Sequence, residues 1–348
     1  MTGSVPQDRG AVVGHRFSWR RRATLPVVLA VLGASLAGCA AAVPQPHPEA
    51  APAVPPPVLT VGQTTTVLTD LGKVLAAGDS ALDAADLTTR VTDPALSMRR
   101  AEYLRAQATN GQRPPTVLPT TAQAVIEPRT SAWPRTAVVV TVQPDDLQAP
   151  RILLLEQATA RDPYRLWGWA RLFPGVSMPA TASPDVGSPV LAADASGLLL
   201  QPDQVLPAYA DVLSNGDASA SASQFVADPF RSSVVSAREQ LASNVKAVGT
   251  AAETYTPDPA PLTVIGTVDG GALVIGELTT VSTASVTVGG ARLSLSPVES
   301  ALATASEATH SLVRTYTDVL VFRVPPAGST SKVQLVAAEA VLTSVAAQ

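Results

Sequence analysis

The chain has 348 residues, of which 46% are hydrophobic, 4% aromatic and 15% charged, with a single cysteine, three histidines and a formal net charge of -4. One cysteine excludes a disulfide framework, and three histidines with a slightly acidic balance exclude a histidine-rich metal site and a basic nucleic-acid binder. The apolar content and small net charge exclude full disorder, and the length suits about two domains of roughly 100 to 200 residues each.

Arg16, Arg20, Arg21 and Arg22 form a positive region ahead of the apolar run Leu25 to Leu36, the pattern of a signal peptide. Twelve helical residues cover about 18 Å, short of the roughly 30 Å hydrocarbon core, so a permanent membrane span is disfavoured. Leu36-Ala37-Gly38-Cys39 places the cysteine directly after two small residues at the end of that run. The tetrapeptide resembles a bacterial lipobox. The resemblance implies that residues 1–38 are a lipoprotein signal peptide, removed to leave Cys39 as a diacylglycerol-modified N-terminus. Membrane attachment would then run through the lipid on Cys39, because two acyl chains supply the stable attachment that one cannot. Export would be by the Sec route, or by the twin-arginine route suggested by Arg21 and Arg22, although Thr24 stands where that motif has a large apolar residue. Either places the remainder on the outer face of the cell membrane, with a net charge of -8 after the signal is removed and hence no expected nucleic-acid partner.

Residues 39–58 are expected to be a disordered tether, since seven of the nineteen residues from Ala40 to Val58 are proline. Extended as polyproline II, this segment reaches up to about 60 Å. His47 lies within it.

The rest divides into residues 59–174, a Gly/Ser/Pro-rich connection at 175–197, and residues 198–348. The division rests on an internal match at an offset of 138 residues. Val67, Leu68, Val74, Leu75, Gly78 and Asp79 recur as Val205, Leu206, Val212, Leu213, Gly216 and Asp217, each set spaced as one face of an amphipathic helix near a glycine. Asp93-Pro94 answers to Asp228-Pro229, and Glu102 with Leu104 to Glu239 with Leu241.

After each helical portion the apolar period shortens to two. Strands are expected at 116–127, 136–143, 151–158 and 164–173, then at 261–268, 272–283, 314–324 and 332–345. The insertion before the last two holds a Gly289-Gly290 hairpin turn and a short helix over 298–309. Helices followed by strands in each half define an α+β class with two tandem lobes. That element order resembles the cone-shaped fold of nuclear transport factor 2 and ketosteroid isomerase, which implies a curved antiparallel sheet in each lobe. The ratio of 21 Arg to 3 Lys and the abundance of Ala, Pro, Gly and Val are similar to those of exported envelope lipoproteins of high-GC Gram-positive bacteria.

Catalytic chemistry finds little support. His15 leaves with the signal, and His310, in ATHSLVR, has no nucleophile elbow beside it. No clustered ligands for zinc and no glycine-rich phosphate loop are present, so neither metal nor cofactor is expected. Asp79, Asp83 and Asp86 fall on one helical face and read as solvated acids. Glu156 and Glu277 stand in apolar strands, where burial would raise their pKa; they face solvent or an arginine in the blander reading. The segment Tyr164 to Phe173 is the least ordinary, because strict alternation would set Arg165, Trp167, Trp169, Arg171 and Phe173 on one side of a strand as a surface for a ligand or partner. The competing reading has those rings filling a lobe.

The sequence therefore points to a non-catalytic, lipid-anchored envelope protein that binds or scaffolds a protein or glycan partner. The alternative is a carrier or isomerase-like enzyme with a small-molecule pocket inside one cone.

Overall fold

The computed structural model describes residues 52–145, 148–259 and 262–348. The expected signal peptide, Cys39 and most of the tether lie outside them. Residues 51–348 form one compact unit. It begins earlier than the proline content implied. Pro57 bridges Arg129, Val58 donates from its amide to the Pro128 carbonyl, and Val58 and Leu59 are both buried.

Each half opens with two helices. In the first, α1 (Val61–Ala81) starts at a capping box in which Thr60 and Gln63 satisfy each other's backbone amides, and it buries Leu68, Leu71 and Leu75 along one stripe. The second helix, α2 (Ala95–Ala108), follows the Asp93-Pro94 pair, whose Asp93 carboxylate accepts from the Ser97 amide. In the second half α3 (Pro202–Asn215) buries Val205, Leu206, Tyr209, Val212 and Leu213 and gives way to Gly216. Then α4 (Pro229–Val245) takes Asp228 as its N-cap, accepting from the Arg231 amide. The repeated Asp-Pro pairs thus mark the start of the second helix in each half.

Four strands follow in the first half: β1 (Ala122–Ile126), β2 (Arg135–Thr141), β3 (Arg151–Gln157) and β4 (Arg165–Leu172). Five follow in the second: β5 (Gly249–Pro257), β6 (Thr263–Gly266), β7 (Ala272–Val286), β8 (Ser311–Val324) and β9 (Gln334–Ala347). Together they make one antiparallel sheet in the order β1-β2-β3-β4-β9-β8-β7-β5, with β6 pairing the first part of β7. The last strand of one half meets the last strand of the other, Leu172 opposite Ala337 and Arg171 opposite Ala338. The expected α+β class holds, and the two halves repeat the same order of two helices and a meander of strands.

Strand β5 was not anticipated. Its sequence GTAAETYTP carries little apolar patterning, because its outward positions face solvent along the sheet edge. The first expected strand is shorter than 116–127, since its opening residues join no ladder. Gly289-Gly290 does form a turn, with Gly290 at φ +77°, yet it leads out of β7 into an insertion rather than into a hairpin. That insertion contains α5 (Pro297–Ala303), capped by Ser296 and Glu299, and ends at Thr304 in the left-handed region, well short of residue 309.

The halves share apolar packing. One cluster joins Ile152, Leu153 and Leu166 to Leu273, Ile275 and Val319. Gly168 on β4 makes the approach close, since a Cβ there would lie 3.2 Å from a Val319 methyl. A second cluster centres on Tyr209, Phe225 and Phe322, with ring centroids 5.1 to 6.3 Å apart, beneath α3. Residues 175–197 run across both halves: Ser188-Pro189 pairs with Pro128-Arg129, and Val190 bridges Ile265.

Candidate functional site

Helix α4 crosses the second-half strands but buries little of itself there, with Phe230 near its start and Val245 at its end. Between them Ser233, Val234, Ala237 and Leu241 roof a cavity of about 330 Å³. Small side chains at Ser233, Ala237 and Ala340 leave that volume open. Its floor is set by register. Tyr255 on β5 lies opposite Thr280 on β7, Thr280 opposite Tyr316 on β8, and Asp318 on β8 opposite Ala340 on β9. The sheet floor is therefore polar, with Glu253, Ser282 and Arg314 beside that row, and it faces apolar side chains of α4, Phe230, Val234, Ala237 and Leu241, so that polar and apolar surfaces meet across the cavity.

Of the two carboxylates in the cavity wall, Glu253 is held through its Oε2. It accepts from Tyr255 Oη at 2.6 Å and from Arg238 Nε at 3.1 Å, and Arg238 Nη2 also donates to Tyr255 Oη at 2.7 Å. Burial and the bond to Glu253 push the Tyr255 phenol far above its ordinary value, so it stays neutral. Arg314 Nε is tied to Glu299 of α5, while its buried Nη1 has no hydrogen-bond partner among the described residues. Asp318 is open in the same way. It is 1% exposed, its Oδ2 accepts from Thr280 Oγ1 at 2.5 Å, and its Oδ1 has no hydrogen-bond partner among the described residues. Burial pushes its pKa up to about 7, against the opposing effect of the Thr280 hydrogen bond and with a small further rise from Glu277. Near neutrality this group therefore either donates or accepts, and a buried oxygen without a partner is costly unless a ligand or water meets it.

The matching space in the first half is filled. Trp169, 1% exposed, packs beside the guanidinium of the buried Arg99, which lies 5.8 Å from the Trp169 and Tyr103 rings. Arg99 donates to Glu102 at 2.8 Å, to Asp79 at 2.7 Å and to the Thr116 carbonyl at 2.7 Å, while Tyr103 donates to Asp79 at 2.7 Å. Asp79, half-buried, is therefore tied to the buried Arg99 and to Tyr103, unlike the exposed Asp83 and Asp86 with which it was expected to share a solvated acidic face.

The five residues expected to share one side of a strand do not. A register shift in the β3–β4 ladder, where Leu154 and Leu155 face Gly168 and Leu166, interrupts the alternation. Trp169 goes to the Arg99 network, whereas Trp167 lines a different cleft, of about 550 Å³, together with Glu156 and Trp133. Arg165 lies directly across the ladder from Glu156. Arg171 approaches Glu339 at 3.8 Å, and Phe173 packs on the second-half cluster. Burial raises Glu156, and burial with the nearby Asp258 and Asp93 carries Glu277 to about 7. Glu277 and Asp318 stand at odd and even separation along paired strands, Glu277 opposite Val319, so they occupy opposite faces of the sheet. His310 is exposed beside Thr309 Oγ1.

The residues that sequence reasoning missed are Arg314, Tyr316 and Asp318. They alternate along RTYTDVLVF, with an acid set against an apolar run, the same signal that drew attention to Glu156 and Glu277. Among the described residues no group of His, Cys, Asp and Glu is arranged to hold a metal ion, and no helix is long and apolar enough to cross a membrane.

Residues 55–346 match the family model described as a domain of unknown function, DUF8094. The chain belongs to that family. The matched span covers both halves, so the DUF8094 unit includes the second-half cavity as well as the filled first half. No curated protein and no solved structure matches the chain.

Proposed function

We propose that this protein is a lipid-anchored, extracytoplasmic binding protein that holds a largely apolar small molecule, bearing one hydrogen-bonding group, in the cavity beneath α4. The observation that carries the reading is Asp318, a buried carboxylate facing that cavity with one oxygen unpartnered. The apolar walls supplied by Phe230, Val234 and Leu241 would take the body of the ligand, and Asp318 its polar group. Glu253 Oε2, Tyr255 and Arg314 Nε are already committed to Arg238 and Glu299, while the buried Arg314 Nη1, without a partner among the described residues, would stand with Asp318 as a second polar contact for the ligand. The address follows from the signal pattern and Leu36-Ala37-Gly38-Cys39, with the acyl chains on Cys39 as the membrane partner. The tandem lobes would be cone-shaped relatives of the nuclear transport factor 2 fold, used as a container.

The neutral fluorophore N-phenyl-1-naphthylamine tests the cavity. Saturable enhancement is expected with the wild-type chain. Ala340→Phe, which sets a ring across from Asp318, should weaken binding by about tenfold or more, equivalent to about 1.4 kcal/mol, while leaving the far-ultraviolet spectrum unchanged. Equal binding by a folded Ala340→Phe chain would remove the cavity from the account.

A further inference from the structure

The cleft that holds Trp167 is a second site, separate from the cavity beneath α4. From the first half come Trp133, Glu156 and Trp167, and from the second Leu262, Thr263 and Val264. At about 550 Å³ it exceeds the α4 cavity, and neither half forms it alone.

We propose that this cleft binds a neutral oligosaccharide, with the Trp133 and Trp167 indoles against sugar-ring faces and the Glu156 carboxylate accepting from sugar hydroxyls. Pyranose rings present C–H faces that suit indole surfaces and hydroxyl edges that need hydrogen-bond acceptors and donors. The cleft offers both, since Thr130, Thr136 and Thr263 add hydroxyls to the Glu156 carboxylate. Trp133 is 37% exposed, and Trp167 packs against the first cluster but is only half-buried, so each ring keeps surface open to the cleft. Glu156 has no hydrogen-bond or ion-pair partner among the described residues.

The charge around the cleft selects against other ligand classes. An organic cation would suit two indoles and a carboxylate, but Arg135 already lies 4.3 Å over the Trp133 ring, and Arg165 faces Glu156 across the ladder. An anion would meet Glu156 and Asp93 in the wall. A wholly apolar molecule would strip water from those carboxylates without replacing its hydrogen bonds. A neutral, hydroxylated ligand avoids the charge repulsion and replaces the water on those carboxylates with its own hydroxyls.

The test is calorimetric titration of the full folded chain with cellotetraose, chitotetraose and maltotetraose, alongside tryptophan fluorescence. At least one oligosaccharide should bind and shift the emission. Trp133→Ala, a change at an exposed loop position, and Glu156→Gln should each weaken that binding by about tenfold. Both variants should keep wild-type affinity for N-phenyl-1-naphthylamine, which shows that the chain is folded and the α4 cavity intact. Failure of all three sugars would overturn the proposal, as would sugar binding insensitive to both substitutions. Binding of tetramethylammonium with loss on Glu156→Gln would replace it with a cation site. None of these outcomes bears on the α4 cavity.

Discussion

Asp318 offers a sharp thermodynamic test, because its burial should be written into the pH dependence of stability. An ordinary aspartate titrates at 3.8, and here the folded value is pushed to about 7. Between those values the folded chain holds a proton that the unfolded chain releases. Stability contributed by this group is therefore complete below the unfolded value and is lost as pH rises to the folded one. The difference of about three pKa units corresponds to roughly 4 kcal/mol, at about 1.4 kcal/mol per pH unit. Glu127, Glu277 and Glu339 are also raised to about 7, mainly by burial, and slope the same way. Subtracting two chains isolates Asp318. Asp318→Asn keeps an acceptor for Thr280 and cannot ionise, so urea unfolding should show the variant gaining on wild type by about 2.5 kcal/mol between about pH 4.5 and about pH 6.5. Parallel stability curves for the two chains would refute the reasoning.

Three further substitutions probe other levels of the structure. Cys39→Ala should release the protein from membranes or leave the signal uncut, as read by fractionation and the mass of the mature chain; normal cleavage with full membrane retention would count against lipidation. Arg99→Leu removes the partner of the fully buried Glu102 and of Asp79, and should cost about 3 to 5 kcal/mol in urea unfolding. A loss below about 1 kcal/mol would mean that the network is not sealed from water. Gly249→Ala would bring a Cβ within 1.8 Å of the Ser285 carbonyl oxygen, forcing β5 away from β7. Because β5 carries Tyr255 and Glu253, that variant should also bind N-phenyl-1-naphthylamine more weakly.

How much of this was readable beforehand differs by level. Helix and strand order came through because apolar periods of 3.6 and 2 survive wherever one face packs, as in Leu68, Leu71 and Leu75 or along β8. The meeting of β4 with β9 left no local trace, since a pairing of Leu172 with Ala337 depends on twist and on residues 165 positions apart in the chain. The bulge opposite Leu154 and Leu155 mattered more. One extra residue in β4 sent Trp167 and Trp169 to different places, and no composition rule fixes where a ladder slips. Asp318 was legible in principle as an acid beside VLVF, but its importance comes from small neighbours on other elements, Ala237 and Ala340, which leave space in front of it. The filled first half shows the converse, with Trp169 and Arg99 occupying what their counterparts leave empty.

The central claim is that the cavity beneath α4 takes a ligand. Methyl-labelled NMR spectra recorded with and without N-phenyl-1-naphthylamine test it most directly. The account predicts shifts concentrated at the methyls of Val234, Ala237, Leu241 and Ala340, absent in Ala340→Phe. Shifts centred instead on Val190, Leu262 and Val264, or spread evenly over the surface, would contradict it.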